Sequence, residues 1–230
     1  MRIMNRPEDR KPIVKMKNVQ IEAGGRILIP SCSLDLYGGQ RIALMGTSGI
    51  GKTTLLKVIA GILPVPSGTL IRNGSVSMVF DQDGLYPDLS ARENIELGLP
   101  WTRHNKEERK HKAEEWGTFF GCEAFLDQKV STLSAGQRKR TGLARAMMKE
   151  PDLLLLDETF HALDPNLRKQ LGQKILELQK KHGFALVFAT HNEREADFLN
   201  AQIVELTEDG EKGISTLVWK TGRETPNLAN

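Results

Sequence analysis

Gly46-Thr47-Ser48-Gly49-Ile50-Gly51-Lys52-Thr53 reads G-x-x-x-x-G-K-T, and its flanks decide what kind of chain this is. Upstream, Arg41 to Met45 is a short apolar strand; downstream, Lys52 to Ala60 has the spacing of a helix. Glycines let the backbone turn where side chains would forbid it, so successive N–H groups and a helix N-terminus converge on phosphate oxygens. In that context Gly46, Thr47, Ser48, Gly49, Ile50, Gly51, Lys52, Thr53 and Thr54 form a nucleotide-binding loop. Lys52 reaches the outer phosphates, and Thr53 offers its hydroxyl to Mg²⁺. A plain glycine-rich turn with an exposed lysine would give no reason for a strand before it and a helix after it.

Further along, Leu153-Leu154-Leu155-Leu156-Asp157-Glu158 is an apolar run ending in two acids. That is the pattern of a buried parallel strand delivering carboxylates to the sheet edge where ligands gather. Asp157 can hold Mg²⁺, and Glu158 can act as general base for attack on a γ-phosphate. Acids often cap strands, so this run acquires meaning only beside the phosphate loop. Leu133-Ser134-Ala135-Gly136-Gln137 opens a helix with small residues that permit close backbone approach to a phosphate, and His191 follows a third apolar strand.

Around these motifs the chain has an ordinary globular balance. It has 230 residues, 39% hydrophobic and 27% charged, which argues against collagen-like, disordered and integral-membrane classes. The net charge of +3 is too small and too evenly mixed for a nucleic-acid footprint. Apolar runs fall well short of the roughly 20 residues that span a bilayer. Cys32 and Cys122 have no neighbours at metal-ligand spacing, and they point to a reducing compartment.

Residues 1–12 read as a polar tail without a signal sequence, residues 13–222 as one domain, and 223–230 as a second tail. Ile13 to Leu36 alternates like a small antiparallel sheet, and Asn73-Gly74 is a hairpin signal before a strand over Ser75 to Phe80. A helical subdomain is expected over about 87–150, with Ser90 and Glu93 at capping-box spacing and a charged, solvated run from Arg103 to Glu115. Helices over Ala135 to Met148, Asn166 to Lys181 and Glu193 to Asn200 then alternate with strands over Leu153 to Asp157 and Phe184 to Thr190. This implies a parallel sheet covered on both faces. Gln202 to Leu206 and Ile214 to Trp219, around Asp209-Gly210, read as a terminal hairpin.

From about Ile13 to Trp219 the chain resembles the ATP-binding cassette (ABC) family of ATPases. The resemblance rests on the Walker A loop Gly46 to Thr53, the signature Leu133 to Gln137 running into Arg138-Lys139-Arg140, the Walker B strand with Asp157 and Glu158, the D-loop Ala162-Leu163-Asp164 and the switch His191. It implies an α/β fold of the P-loop NTPase (ABC) type, with a parallel-sheet core, an N-terminal antiparallel β subdomain and a helical subdomain. It also implies ATP and Mg²⁺ as ligands and a head-to-tail dimer, with a second copy or a homologous ATPase subunit. Two ATP molecules would be sandwiched there, each facing Ser134, Ala135, Gly136 and Gln137 supplied in trans. Glu158, His191 and Lys52 would be catalytic, His191 contacting the γ-phosphate, with Asp164 in the D-loop and Thr53, Asp157 and Asp81 at the metal. The implied role is to power transport through separate transmembrane permease subunits from the cytoplasmic face of the membrane, with Tyr86, Leu89 and Leu97 as docking residues and no nucleic-acid partner. No regulatory module is seen after Trp219.

Three positions depart from the family pattern. Ala23 stands where an adenine-stacking aromatic is common, which predicts weaker ATP affinity. Asp81 in Phe80-Asp81-Gln82 aligns with the family's Q-loop glutamine, and a one-residue shift would present Gln82 instead. Thr159-Phe160-His161 replaces the usual Pro and Ser before the D-loop. Two other readings stand beside transport: an ATPase serving a cell-division or lipid-trafficking complex, and a nucleotide-sensing subunit that has lost hydrolysis.

Overall fold

The structure, a computed structural model, describes residues 11–82, 84–161, 163–209 and 214–220. The expected tails therefore lie outside the described residues except for Lys11 and Pro12, as do Asp83, Ala162 of the D-loop and Gly210 of the terminal turn.

Two sheets organise the chain. In the smaller, β1 (Val14–Ala23) is central and pairs antiparallel with β2 (Arg26–Leu36) on one side and β4 (Thr69–Arg72) on the other. In the larger, β3 (Arg41–Met45), β5 (Val76–Val79), β6 (Leu153–Asp157), β7 (Ala185–Ala189), β8 (Gln202–Asp209) and β9 (Ile214–Trp219) lie in the order β5-β6-β7-β3-β8-β9. All are parallel except β9, which closes the edge antiparallel to β8.

Both faces of the central strands are buried, which is why Leu153 to Leu156 of β6 and all of β7 are apolar without alternation. Ala43, Met45, Leu154, Leu156, Leu186 and Phe188 face a core completed by residues of α2 (Ala91–Glu96), α3 (Lys106–Phe120), α4 (Ala135–Met147) and α5 (Pro165–His182). Ile42, Leu44, Leu153, Leu155, Ala185 and Val187 face a second core built with α1 (Lys52–Ala60) and the antiparallel sheet. The charged run of α3 is solvated as expected: Arg109, Ala113, Gly117 and Phe120, nearly one turn apart, are its buried residues. A sixth helix, α6 (Glu193–Phe198), follows β7.

The hairpin expected at Asn73-Gly74 does not form. β4 and β5 belong to different sheets, so these residues make a crossover between them. Asn73 donates its backbone N–H to Ile13 and its side-chain amide to Pro12, fastening the strand end to the antiparallel sheet. Ser75 is drawn to the other sheet by Asp152, whose Oδ2 accepts from both its N–H (2.8 Å) and its hydroxyl (2.9 Å). A Cβ at Gly74 would lie 2.9 Å from Asp152 and Ile13, so the glycine is selected by close packing rather than by turn geometry.

Candidate functional site

Strand β3 delivers the chain into the phosphate loop at the carboxyl edge of the parallel sheet. Gly46, Gly49 and Gly51 have φ of 144°, 82° and 113°, a region that side chains disfavour. At Gly46 space is limiting as well, since a Cβ would lie 2.8 Å from the Leu206 carbonyl oxygen. Gly51 caps α1 without any side-chain hydrogen bond, leaving the first N–H groups of the helix open to a ligand. Lys52 is 5% exposed. Its ammonium curls back over the loop, donating to the carbonyls of Gly46 (2.9 Å) and Thr47 (3.0 Å), and lies 3.7 Å from Glu158 Oε1.

The acidic end of β6 meets this loop directly. Thr53 donates its hydroxyl to Asp157 Oδ1 at 2.9 Å, joining two residues far apart in sequence. Burial raises the Asp157 carboxyl above its ordinary value; the Thr53 bond opposes the shift, and the nearby charges of Asp81 and Glu158 add to it. Glu158 has φ of 42°, a left-handed backbone that turns its side chain out of the strand at the sheet edge.

Ser48, Gly49, Gly51, Lys52, Thr53, Thr54, Asp81 and Glu158 line one open cavity of about 260 Å³. Of the two candidates in the loop after β5, Asp81 thus reaches the cavity, and Gln82 is not among the lining residues. A neighbouring cavity of about 470 Å³ is walled by Gly46, Thr47, Ile50 and His191 together with β8 residues. His191 is exposed at the end of β7, with its ring centroid 4.6 Å from that of His161. The same edge is braced by Thr190, whose hydroxyl donates to buried Glu195 at 2.6 Å.

Ser134 to Gln137 and Asp164 do not line the phosphate cavity of their own protomer. Ser134 caps α4, its hydroxyl accepting from Gln137 N–H while Gln137 Oε1 accepts from Ser134 N–H at 2.8 Å. A Cβ at Gly136 would lie 2.7 Å from Leu167 in the first turn of α5, where Asp164 caps the helix. Signature and D-loop are therefore neighbours. Ala23 is exposed at the Gly24-Gly25 turn, on the hairpin whose Leu28 packs against Gly51.

Sequence reasoning missed the residues that hold the loop carrying Asp81. Buried Lys139, on α4, donates to the carbonyls of Phe80 and Asp81, and Arg145 donates to that of Gly84 at 2.8 Å. Fully buried Asn94 ties down the following turn, accepting from Tyr86 N–H and donating to Tyr86, Leu89 and Ser90 carbonyls. These cations and this amide carry no motif signature. The packing of α4 against β5 brings the two cations to the loop, and α2 carries Asn94 beneath the turn.

Comparison with known proteins places this arrangement. A family model described as "ABC transporter" matches residues 29–161. The chain is 33% identical over 213 residues to the spermidine/putrescine import ATP-binding protein PotA of Haemophilus influenzae, covering 88% of this chain and 57% of that protein. It is 34% identical over 209 residues to the Fe(3+) ions import ATP-binding protein FbpC of Fusobacterium nucleatum, covering 86% and 56%. The chain thus spans little more than half the length of these curated relatives. Among solved structures, the dimeric post-hydrolysis state of the ATP-binding cassette MJ0796 bound to ADP and Pi superposes with a TM-score of 0.79 at 27% identity, covering 91% of this chain and 99% of that one. A second dimeric structure of MJ0796 gives the same TM-score at 28% identity.

Proposed function

Because the chain belongs to the ABC transporter family of ATP-binding proteins, we propose that it binds and hydrolyses ATP to power transport through separate membrane-spanning subunits. The observation that carries this reading is the bond from Thr53 to Asp157 beside the Lys52–Glu158 pair. It joins the phosphate loop to the acidic strand in one cavity, where binding and chemistry can be coupled.

In this mechanism the N–H groups of the loop and of α1 receive the phosphates. Lys52 exchanges its two carbonyl partners for phosphate oxygens, and the positive charge stays in place as negative charge develops. Glu158, held 3.7 Å from Lys52, accepts the proton of the attacking water, and His191 faces the γ-phosphate from the β7 edge. Thr53, Asp157 and Asp81 present an all-oxygen donor set that suits a hard cation, so they would hold Mg²⁺. Bound there, Mg²⁺ would neutralise charge on the phosphate oxygens.

The signature residues Ser134 to Gln137 act on the nucleotide of a second copy or of a homologous subunit; that they do not line their own phosphate cavity and that MJ0796 is dimeric both support this. No described helix is long and apolar enough to cross a membrane. The import ATP-binding role named for the relatives supports work at the cytoplasmic face, docked on permease subunits. Tyr86, 59% exposed, and Leu97 line a groove of about 470 Å³ between β5 and α4 that supports the docking role, whereas Leu89 is partly buried and does not line it.

The test is Mg²⁺-dependent ATP hydrolysis by the purified chain beside Glu158→Gln, with mass followed by light scattering. Hydrolysis should fall by about 10²–10⁴ in the variant, the scale of a lost general base. ATP should then trap the variant as a dimer. ATP binding without turnover in either protein would overturn the hydrolytic reading in favour of a nucleotide-sensing subunit.

A further inference from the structure

Three residues at the carboxyl edge of the sheet come together in a way the phosphate chemistry does not require. Glu158 directly follows β6, His161 lies in the turn after it, and His191 stands two residues past β7; one ligand atom from each lies within 4.8 Å of the others. His161 is fixed there by its backbone, which donates to the Glu158 carbonyl at 3.1 Å, and its ring meets that of His191 edge-on at 4.6 Å. Both imidazoles are exposed, and among the described residues no hydrogen bond holds either ring. Small torsions therefore suffice to bring the three atoms to the roughly 3.4 Å spacing that ligand bonds of about 2.0–2.1 Å impose in a tetrahedron.

We propose that Glu158, His161 and His191 form a three-ligand site for a divalent transition metal of the zinc class, whose occupancy arrests hydrolysis. Two imidazoles and a carboxylate suit zinc, and they discriminate against Mg²⁺, which prefers oxygen throughout. Glu158 belongs to the phosphate-loop cavity and His191 to the cavity beside it, so the fourth coordination position opens toward the loop. Occupancy takes the Glu158 carboxylate away from Lys52 and from water, and it takes His191 away from the γ-phosphate. The loop glycines and Thr53 remain free, so nucleotide still binds. This consequence for turnover rests on the hydrolytic reading above; the metal site itself does not.

The site is tested first without nucleotide, by titrating the full chain with Zn²⁺ in a calorimeter and with Co²⁺ in an absorption spectrometer. Wild type should show one site with tetrahedral Co²⁺ bands. His161→Ser should weaken that site by more than about a hundredfold, beyond the roughly 10–100-fold that loss of an outer-shell partner commonly costs, and His161→Cys should restore it through a thiolate ligand. The pairs His104–Glu108, at the start of α3, and His111–Glu115, on that helix, persist in every variant and supply the background. Equal thermal midpoints without metal show that the variants fold. In the second arm, Zn²⁺ should inhibit ATP hydrolysis by wild type more strongly than by His161→Ser. Metal binding that is absent from wild type, unchanged in His161→Ser or not restored by His161→Cys overturns the site. A metal site without any ATP hydrolysis would instead count against the hydrolytic reading alone.

Discussion

The N-termini of α1 and α4 carry the two glycine-bearing motifs of the chain, and they end in opposite ways. At α1 the cap is Gly51 with a left-handed backbone and no side-chain bond. At α4 Ser134 and Gln137 close a reciprocal capping box, as Ser90 with Glu93 does at α2 and Asn105 with Glu108 at α3. Among the described α-helices, α1 alone has no side-chain cap. A helix end with its amides open is a receptor waiting for an anion, whereas a boxed end is already satisfied. The difference teaches that the phosphate loop is preorganised within one protomer. For the signature end to serve a nucleotide on a partner, Ser134 and Gln137 must exchange their mutual bonds for new ones.

The largest effect belongs to the open end. Lys52→Ala should lower ATP hydrolysis by about 10²–10³, the scale seen when one preorganised stabilising group is removed, and should weaken nucleotide binding in a titration. Unchanged affinity would break the comparison, because the loop would then not be the receptor. Ser134→Ala probes the boxed end. Loss of the cap should cost about 1 kcal/mol, a drop of roughly 2–4 °C in thermal midpoint for a chain of this size. On a Glu158→Gln background it should also abolish the ATP-trapped dimer seen by light scattering. A dimer that survives would reduce Ser134 to a structural cap.

Two smaller effects sharpen the picture. Ala23→Tyr, on the hairpin beside Gly51, should tighten ATP binding by roughly 1 kcal/mol, the lower end of base–aromatic stacking, read as about a fivefold shift in a fluorescence titration. No gain would mean that the hairpin does not face the base. Asp157→Asn should raise thermal stability slightly at neutral pH. Burial raises this carboxyl, so the folded state holds its proton more readily than the unfolded state. Stability therefore falls as pH rises from the ordinary carboxylate value of 3.8 through the raised one, and at neutral pH the buried charge remains a cost. Thermal midpoints of variant and wild type should converge as pH is lowered through that window; a constant gap would deny the titration.

Much of this was legible from the chain because its strongest signals are local. The loop from Gly46 to Thr53 lies in one strand–turn–helix unit, the run Leu153 to Leu156 is apolar throughout because it is covered on both faces, and Ser90 with Glu93 is a cap readable from spacing. Asn73-Gly74 misled for a physical reason: a turn signal reports chain reversal, but not which sheet the next strand will join, and Asp152 drew Ser75 into the other one. The loop near Asp81 was equally opaque, since Lys139, Arg145 and Asn94 hold it by bonds to backbone carbonyls, which leave no residue-type pattern.

What the sequence determined by itself is the chemistry available: a glycine loop ahead of Lys52 and Thr53, two acids at a strand end, and a histidine after another. Each is set by neighbours within a few residues, where backbone dihedrals and hydrophobic spacing act directly. What only the tertiary structure decided is which of these meet. Thr53 and Asp157, His161 and His191, and Asp81 rather than Gln82 come together because parallel strands in the order β5-β6-β7-β3 bring their carboxyl ends to one edge. That order is fixed by packing two cores across a single sheet, a non-local balance that no stretch of the chain contains on its own.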